Sequence, residues 1–133
     1  MPNIELIFLQ LNQPIDWSIY SNKPTACLLV VDGAISDVLL ASIVGGAANV
    51  GCTVFMSWGA MADELHDRID QVLENGSDSW LRILTTSHMG KTAEDVSMFL
   101  FAATLPGRIE ARYFVIADSS LEDLQKAIVV PEE

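Results

Sequence analysis

The sequence has few cysteines and no long apolar run. Cys27 and Cys52 are its only cysteines and form no C-x-x-C pair, which argues against a disulfide framework and a cysteine-based zinc or redox motif. Free cysteines commonly behave as small hydrophobes, so we expect two buried thiols. No stretch reaches the roughly 18–20 apolar residues of a membrane helix, and residues 1–5 show no signal-peptide pattern. The sequence therefore predicts a soluble, cytoplasmic protein.

Basic residues are also scarce. The chain has 7 lysines and arginines against 18 acidic residues, and its formal net charge is −11. Phosphate backbones and anionic lipid surfaces need basic side chains, so we expect no direct binding to nucleic acid or membrane. The charge is compatible with a basic protein partner, or with solubility alone.

Familiar catalytic and cofactor motifs are missing. There is no G-x-G-x-x-G, no P-loop and no G-x-S-x-G elbow, so we expect no cofactor. His66-Asp67 is similar to a metal phosphohydrolase signature, but that chemistry needs further histidines upstream. His66 and His88 are the only histidines and lack ligand spacing, so no metal site is expected.

The residues that are present predict one α/β domain. Apolar runs alternate with helical patterns in a chain of 133 residues, which is typical of βαβ units and a mostly parallel sheet. The direction of strand one stays open, because residues 12–24 show no clear period. Strands are predicted at Ile4–Leu11, Ala26–Asp32, Cys52–Ser57, Leu81–Thr86 and Ala111–Ala117.

Four helices are predicted after strands two to five. They begin near Ser36, Met61, Thr92 and Ser120, three of which are good N-cap residues. A Gly45-Gly46 pair in the first helix indicates close packing against the sheet. The expected fold is a three-layer, Rossmann-like or flavodoxin-like α/β sandwich with about five strands and four helices.

Polar residues follow the predicted strands, where open α/β sheets bind ligands. Turns and N-caps use the same residue types for structural reasons, so this rim is either a ligand site or a set of caps. The catalytic candidates are His88 as acid or base, with Asp32, Asp67 or Asp118 as its orienting partner. Ser57, His88 and Asp118 together have the residue types of a catalytic triad, as any rim with three such residues does. The ligand-binding candidates are Asp32, Ser57, Trp58, Thr86, Ser87 and His88.

The second predicted helix carries a stripe of carboxylates. Asp63, Asp67, Asp70 and Glu74 are spaced 4, 3 and 4 residues apart, which places them on one helical face. Like charges at this spacing destabilise a helix slightly. The stripe is either a surface for a basic partner or a solvated face.

The third predicted helix is apolar on almost every side. Val96, Phe99, Leu100 and Ala103 form a stripe that suffices to cover the sheet. Met98, Phe101 and Leu105 should then point outward as an apolar patch, and such patches usually mark interfaces. We expect this surface to form a homodimer, unless residues 12–24, with Trp17 and Tyr20, cover it.

One order of short motifs resembles a known family over about residues 50–105. Gly51-Cys52, Trp58-Gly59, His66-Asp67-x-x-Asp70 and Thr85-Thr86-Ser87-His88 resemble a bacterial domain family of unknown function. The chain has His66 where that family has Asp, and Ser87 where it has Trp. The resemblance implies no activity, and it draws attention to Trp58, Asp67, Asp70 and His88.

Two functions remain open. The first is a non-enzymatic acidic interaction protein, of the immunity, antitoxin or regulatory type. The alternative is a small-molecule binder or hydrolase that uses the polar rim. A deep pocket at Trp58 and His88 would favour the alternative, and a flat rim with its hydroxyls engaged in caps would favour the interaction protein.

Overall fold

The computed structural model describes residues 3–103 and 110–130, in which strands and helices alternate as the sequence predicts. Two short 3-10 turns, Trp17–Ile19 and Asp78–Arg82, precede the second and fourth strands. Within the described residues, no helix is long and apolar enough to cross a membrane. The strands are β1 (Asn3–Gln10), β2 (Thr25–Val30), β3 (Cys52–Trp58), β4 (Leu84–Ser87) and β5 (Glu110–Ala117). The helices are α1 (Asp37–Asn49), α2 (Ala62–Glu74), α3 (Ala93–Ala102) and α4 (Leu121–Ala127).

The five strands form one parallel sheet in the order β1-β5-β2-β3-β4. The direction of β1, open from the sequence, is therefore parallel. Strands β2 to β5 follow the 3-2-1-4 order of the first four strands of the Rossmann fold, and β1 takes the edge position beside β5. In such a sheet, the crevice at which the order reverses lies between β2 and β5.

Helices cover both faces of the sheet, which confirms the predicted α/β layering. Side chains alternate along β2, with Cys27 and Leu29 on one face and Leu28 and Val30 on the other. The first face packs against α1 and α2, and the second packs against α3 and α4. The central strands are buried on both faces, which explains their continuous apolar runs.

The fourth strand begins later than the sequence predicts. Leu81, the predicted first residue, lies in a 3-10 turn, and β4 starts at Leu84. Trp80 in this turn packs against the core between α1 and α2. A tryptophan anchored on the helical layer holds the chain off the sheet, so β4 is a short edge strand.

Residues 12–24 lie on the α1 side of the sheet. Trp17 packs edge-on against Phe114, with 5.5 Å between ring centroids, and a Cβ atom added to Gly46 would come within 2.4 Å of its ring carbons. The Gly45-Gly46 pair therefore packs against Trp17 and Trp80, and the predicted packing against the sheet is wrong. The alternative in which this segment covers α3 is also wrong, because α3 lies on the other face.

The orientation of α3 differs from the prediction. Val96, Ser97 and Leu100 are buried, which turns the sheet-facing side toward Phe101. Phe101 packs on Tyr113 with 4.9 Å between ring centroids, so its predicted outward position is wrong. Phe99, predicted inward, is 44% exposed, and Met98 is 64% exposed. Leu105 lies outside the described residues.

Candidate functional site

All four helices begin at one edge of the sheet, because each follows the carboxyl end of a parallel strand. Three of them have a serine or threonine N-cap whose hydroxyl accepts a backbone hydrogen bond. Ser36 accepts from Leu39, and Ser120 accepts from Asp123. Three hydroxyl groups at this carboxyl edge therefore cap helices, as N-cap chemistry predicts.

The crevice between β2 and β5 is filled by a carboxylate of the chain itself. Asp118, directly after β5, accepts hydrogen bonds from the backbone N–H groups of Asp32 at 3.0 Å and Gly33 at 2.9 Å. In nucleotide-binding proteins of this topology, backbone N–H groups near this crevice bind phosphate. Here the Asp118 carboxylate accepts from these N–H groups in place of a phosphate, so the N–H groups are not available to an anionic ligand.

The neighbouring loops are tied together in a similar way. The Asp32 carboxylate accepts from the backbone N–H of Ala60 at 2.8 Å. Gly59 between them has a φ of 103°, and an added Cβ would lie 2.7 Å from the Val31 carbonyl oxygen. Trp58 donates its indole N–H to the carbonyl of Lys91 at 3.0 Å. Asp32, Trp58 and Asp118 thus connect loops at the carboxyl edge.

His88 lies just beyond β4, on the α3 face. It is 8% exposed, its Nε2 atom is 2.8 Å from the Thr86 hydroxyl, and its ring meets the Phe99 ring edge-on at 4.6 Å. Burial, assisted by the charge of Lys91, lowers the pKa of His88, so the neutral ring is favoured. The described hydrogen-bond partner of the His88 ring is the Thr86 hydroxyl. None of the three proposed orienting carboxylates, those of Asp32, Asp67 and Asp118, bonds to this ring.

Ser57, His88 and Asp118 do not form a catalytic triad in the structure. The Ser57 hydroxyl donates to the Ala62 carbonyl at 2.7 Å, while Asp118 bonds to the β2 loop. Ser57 is fully buried, so the described structure gives a substrate no path to it. The three residues share one edge of the sheet without sharing a reaction centre.

The acidic stripe on α2 is divided between β4 and solvent. Ser87 donates its hydroxyl to Asp63, and Thr85 donates to Asp70, each at 2.5 Å. Asp67 has a side chain that is 79% exposed, and Glu74 is also exposed. The structure thus brings Asp63 and Asp70 against the strand and leaves Asp67 and Glu74 facing outward.

His66 sits within this acidic group. Its Nδ1 atom is 3.3 Å from Asp67 Oδ1 and 3.7 Å from Asp70 Oδ2, and its Nε2 atom is 3.2 Å from the Thr85 hydroxyl. Thr85 was not among the ligand-binding candidates, although the alternation of β4 places it on the same face as Ser87. One potential ligand atom from each of His66, Asp67 and Asp70 lies within 4.8 Å of the other two.

Both thiols are buried and free, as the sequence predicts. Burial raises the pKa of Cys52 to about 12 and raises that of Cys27 well above its ordinary value. Only the thiolate is a good nucleophile or metal ligand, so neither cysteine is suited to catalysis in the folded state.

Two cavities lie away from the candidate rim residues. A cavity of about 730 Å³ lies at the opposite edge, between the start of β3 and Trp80. Another of about 480 Å³ lies between α1 and α2. Neither is lined by Asp32, Trp58, His88 or Asp118.

Comparison with known proteins gives a family without an assigned activity. A family model described as a domain of unknown function (DUF7684) matches residues 4–129. No curated protein and no solved structure matches the chain. The match covers nearly the whole domain and extends well beyond the segment that carries the resemblance noted from the sequence.

Proposed function

The chain belongs to the family described as a domain of unknown function, DUF7684, and we propose that it is a non-enzymatic interaction protein that docks on a basic protein surface. The docking surface consists of the carboxyl edge of the sheet and the adjoining exposed side of α2. A domain of this kind would regulate or neutralise its partner, as immunity proteins and antitoxins do.

The observation that carries this proposal is the convergence of acidic residues at the carboxyl edge. Asp32 and Asp118 follow two neighbouring strands. Lys91 is the only lysine or arginine in the described connections between a strand end and the helix that follows it. The first turns of the four helices add Asp37, Asp63, Glu64, Glu94, Asp95, Glu122 and Asp123.

Each acidic residue in a first turn has a structural role, because it stabilises the helix terminus by about 0.3–1 kcal/mol. Their convergence has a further effect, since summed charges of one sign create a field that steers an oppositely charged partner. Several basic residues lie toward the other edge, namely Lys23 before β2, Arg82 before β4 and Arg112 at the start of β5. The same edge also carries Glu5, Asp78 and Glu110, Lys23 pairs with Glu5 at 3.1 Å, and Arg112 is buried. The basic residues there only offset the acidic ones, so the excess of negative charge lies at the carboxyl edge.

The alternative, a small-molecule binder or hydrolase, needs free polar groups in a concave site. The carboxylates of Asp32 and Asp118 and the hydroxyl of Ser57 are engaged in bonds within the chain. The two cavities described above lie away from these groups. Because these polar groups of the rim already form hydrogen bonds within the chain, the rim favours the interaction protein.

The test compares two variants of equal net charge. An edge variant carries Glu64→Gln, Glu94→Gln and Asp95→Asn, and its control carries Glu5→Gln, Asp78→Asn and Glu110→Gln. Untagged bait is immobilised, lysate proteins are captured in the presence of a chelator, and captured proteins are identified by mass spectrometry. We expect the wild type and the control to capture the same basic protein, and the edge variant to lose at least about tenfold, or 1.4 kcal/mol.

Salt provides a second measurement. Raising the ionic strength from about 0.1 M to 1 M shortens the Debye length from about 10 Å to 3 Å, so capture should fall steeply. The α2 side is tested with Asp63→Asn, Asp67→Asn and Asp70→Asn, in which amide oxygens still accept from Ser87 and Thr85. Equal capture by the edge and control variants, or capture that salt does not weaken, would refute the proposal.

A further inference from the structure

We propose that His66, Asp67 and Asp70 form a binding site for a divalent transition ion of the zinc class. The site lies on the outer side of α2, where the helix contacts the edge strand β4. It shares Asp67 and Asp70 with the docking surface, but it depends on the positions of three ligand atoms and not on the summed charge of the edge.

The hydrogen bonds of Thr85 determine which nitrogen of the His66 ring carries a proton. The Thr85 hydroxyl has one proton, which it donates to Asp70 Oδ1 at 2.5 Å. At His66 Nε2, 3.2 Å away, the same hydroxyl can therefore only accept. This assigns a proton to Nε2 and leaves Nδ1 with a lone pair in the neutral ring. Metal-binding histidines are commonly oriented in this way, with the second ring nitrogen donating to an outer partner.

The Nδ1 atom of His66 faces two carboxylates. Its two nearest acidic oxygens, Asp67 Oδ1 at 3.3 Å and Asp70 Oδ2 at 3.7 Å, also present lone pairs. Three electron-rich atoms in such proximity repel one another unless a cation lies between them. The cation is either a second proton on Nδ1 or a metal ion.

The spacing and the chemical type of the three ligand atoms fit zinc. Zinc binds imidazole nitrogen and carboxylate oxygen at about 2.0–2.2 Å in tetrahedral geometry, so two of its ligands lie about 3.4 Å apart. The two separations at Nδ1, 3.3 Å and 3.7 Å, lie on either side of this value, and the two carboxylates each offer an oxygen within 4.8 Å of the other. An imidazole ligand disfavours calcium and magnesium, which prefer oxygen ligands throughout. Three protein ligands would leave the fourth position to water.

The experiment uses untagged full-length protein, stripped with a chelator and titrated with ZnCl₂ by calorimetry. We expect one zinc ion per chain. His66→Gln and Asp70→Asn should each weaken zinc binding by at least about tenfold. Loss of a residue that only orients a metal ligand commonly has an effect of this size, and these two residues are ligands themselves. The chain has two histidines, so His88→Gln is the matched control and should bind as the wild type does. Asp95→Asn controls for the loss of one charge and should also be neutral.

A second readout distinguishes a designed site from loose attraction. Imidazole ¹⁵N NMR should find the His66 proton on Nε2 and a zinc-dependent shift at Nδ1. Thr85→Val should lower affinity about 10–100-fold, and Thr85→Ser should restore it, because only the hydroxyl positions the ring. Circular dichroism confirms folding of each variant. Absence of zinc binding, zinc-bound Nε2, or equal losses in His66→Gln and His88→Gln would overturn the proposal.

Discussion

At the scale of single residues, the least expected feature is a buried arginine inside the apolar strand β5. Arg112 is 1% exposed and donates to the Thr25 hydroxyl and to the carbonyls of Ser21 and Val50. Its guanidinium also lies over the rings of Tyr20 and Phe114. The described contacts satisfy this buried charge through carbonyls, a hydroxyl and aromatic faces, and they fasten the segment before β2 to the sheet.

Replacement of this arginine should destabilise the protein. Arg112→Met leaves buried acceptors without donors, at about 1–3 kcal/mol each, while it removes the cost of burying a charge. We expect a net loss of about 2–4 kcal/mol in the free energy of unfolding, measured by urea denaturation. The control is Arg82→Met at an exposed position, which should change stability by less than about 0.5 kcal/mol. A stable Arg112→Met protein would mean that desolvation offsets all the described bonds.

His88 should make stability depend on pH. Burial lowers the pKa of His88 in the folded state, so below the ordinary imidazole value of about 6.5 the unfolded chain binds the proton more readily. Acidification from about pH 8 to pH 5 should therefore destabilise the wild type more than His88→Gln. Thermal unfolding of both proteins at the two pH values measures this difference. Parallel losses would show that His88 contributes nothing to the pH dependence, because the other titrating groups are common to both proteins.

At the scale of elements, pattern and capping predicted most of the fold. Serine and threonine caps located the starts of α1, α3 and α4, and apolar runs located the buried strands. Local sequence did not determine where Trp80 would anchor, so β4 was predicted too early. The orientation of α3 depends on which residues meet β5, and a helix that is apolar on every side has no unique inward face.

The candidate site was predicted only in part, for a related reason. Helical spacing placed Asp63, Asp67 and Asp70 on one face of α2, whereas in the structure Asp63 and Asp70 contact β4 and Asp67 faces solvent. It could not show that two of them would meet hydroxyls of β4, because this contact depends on tertiary packing. The alternation of Thr85 and Ser87 was visible in the sequence, but their partners across the layer were not.

At the scale of the whole molecule, an exposed apolar surface remains on α3, and we predict that it mediates homodimerisation. Met98 and Phe99 are large and exposed, and exposed apolar patches commonly mark interfaces. Burial of such a side chain contributes roughly 1.5–3 kcal/mol in full. Partial exposure reduces this, so two copies of the pair would contribute on the order of 5 kcal/mol. Association costs about 4–15 kcal/mol, so the dimer should be weak and require high protein concentration.

The oligomeric state of the wild type and of a Met98→Asp variant, measured by sedimentation, tests this prediction. Met98 is the informative position, because Phe101 packs on Tyr113 and a charge at Phe101 would disturb the fold. Val38→Asp on the opposite layer is the control, since Val38 is also exposed. Two copies of a chain with net charge −11 repel each other, so added salt should strengthen the dimer, opposite to its effect on a basic partner. A wild type that stays monomeric at high micromolar concentration in high salt, or a Met98→Asp protein that still dimerises unchanged, would show that α3 is not the interface.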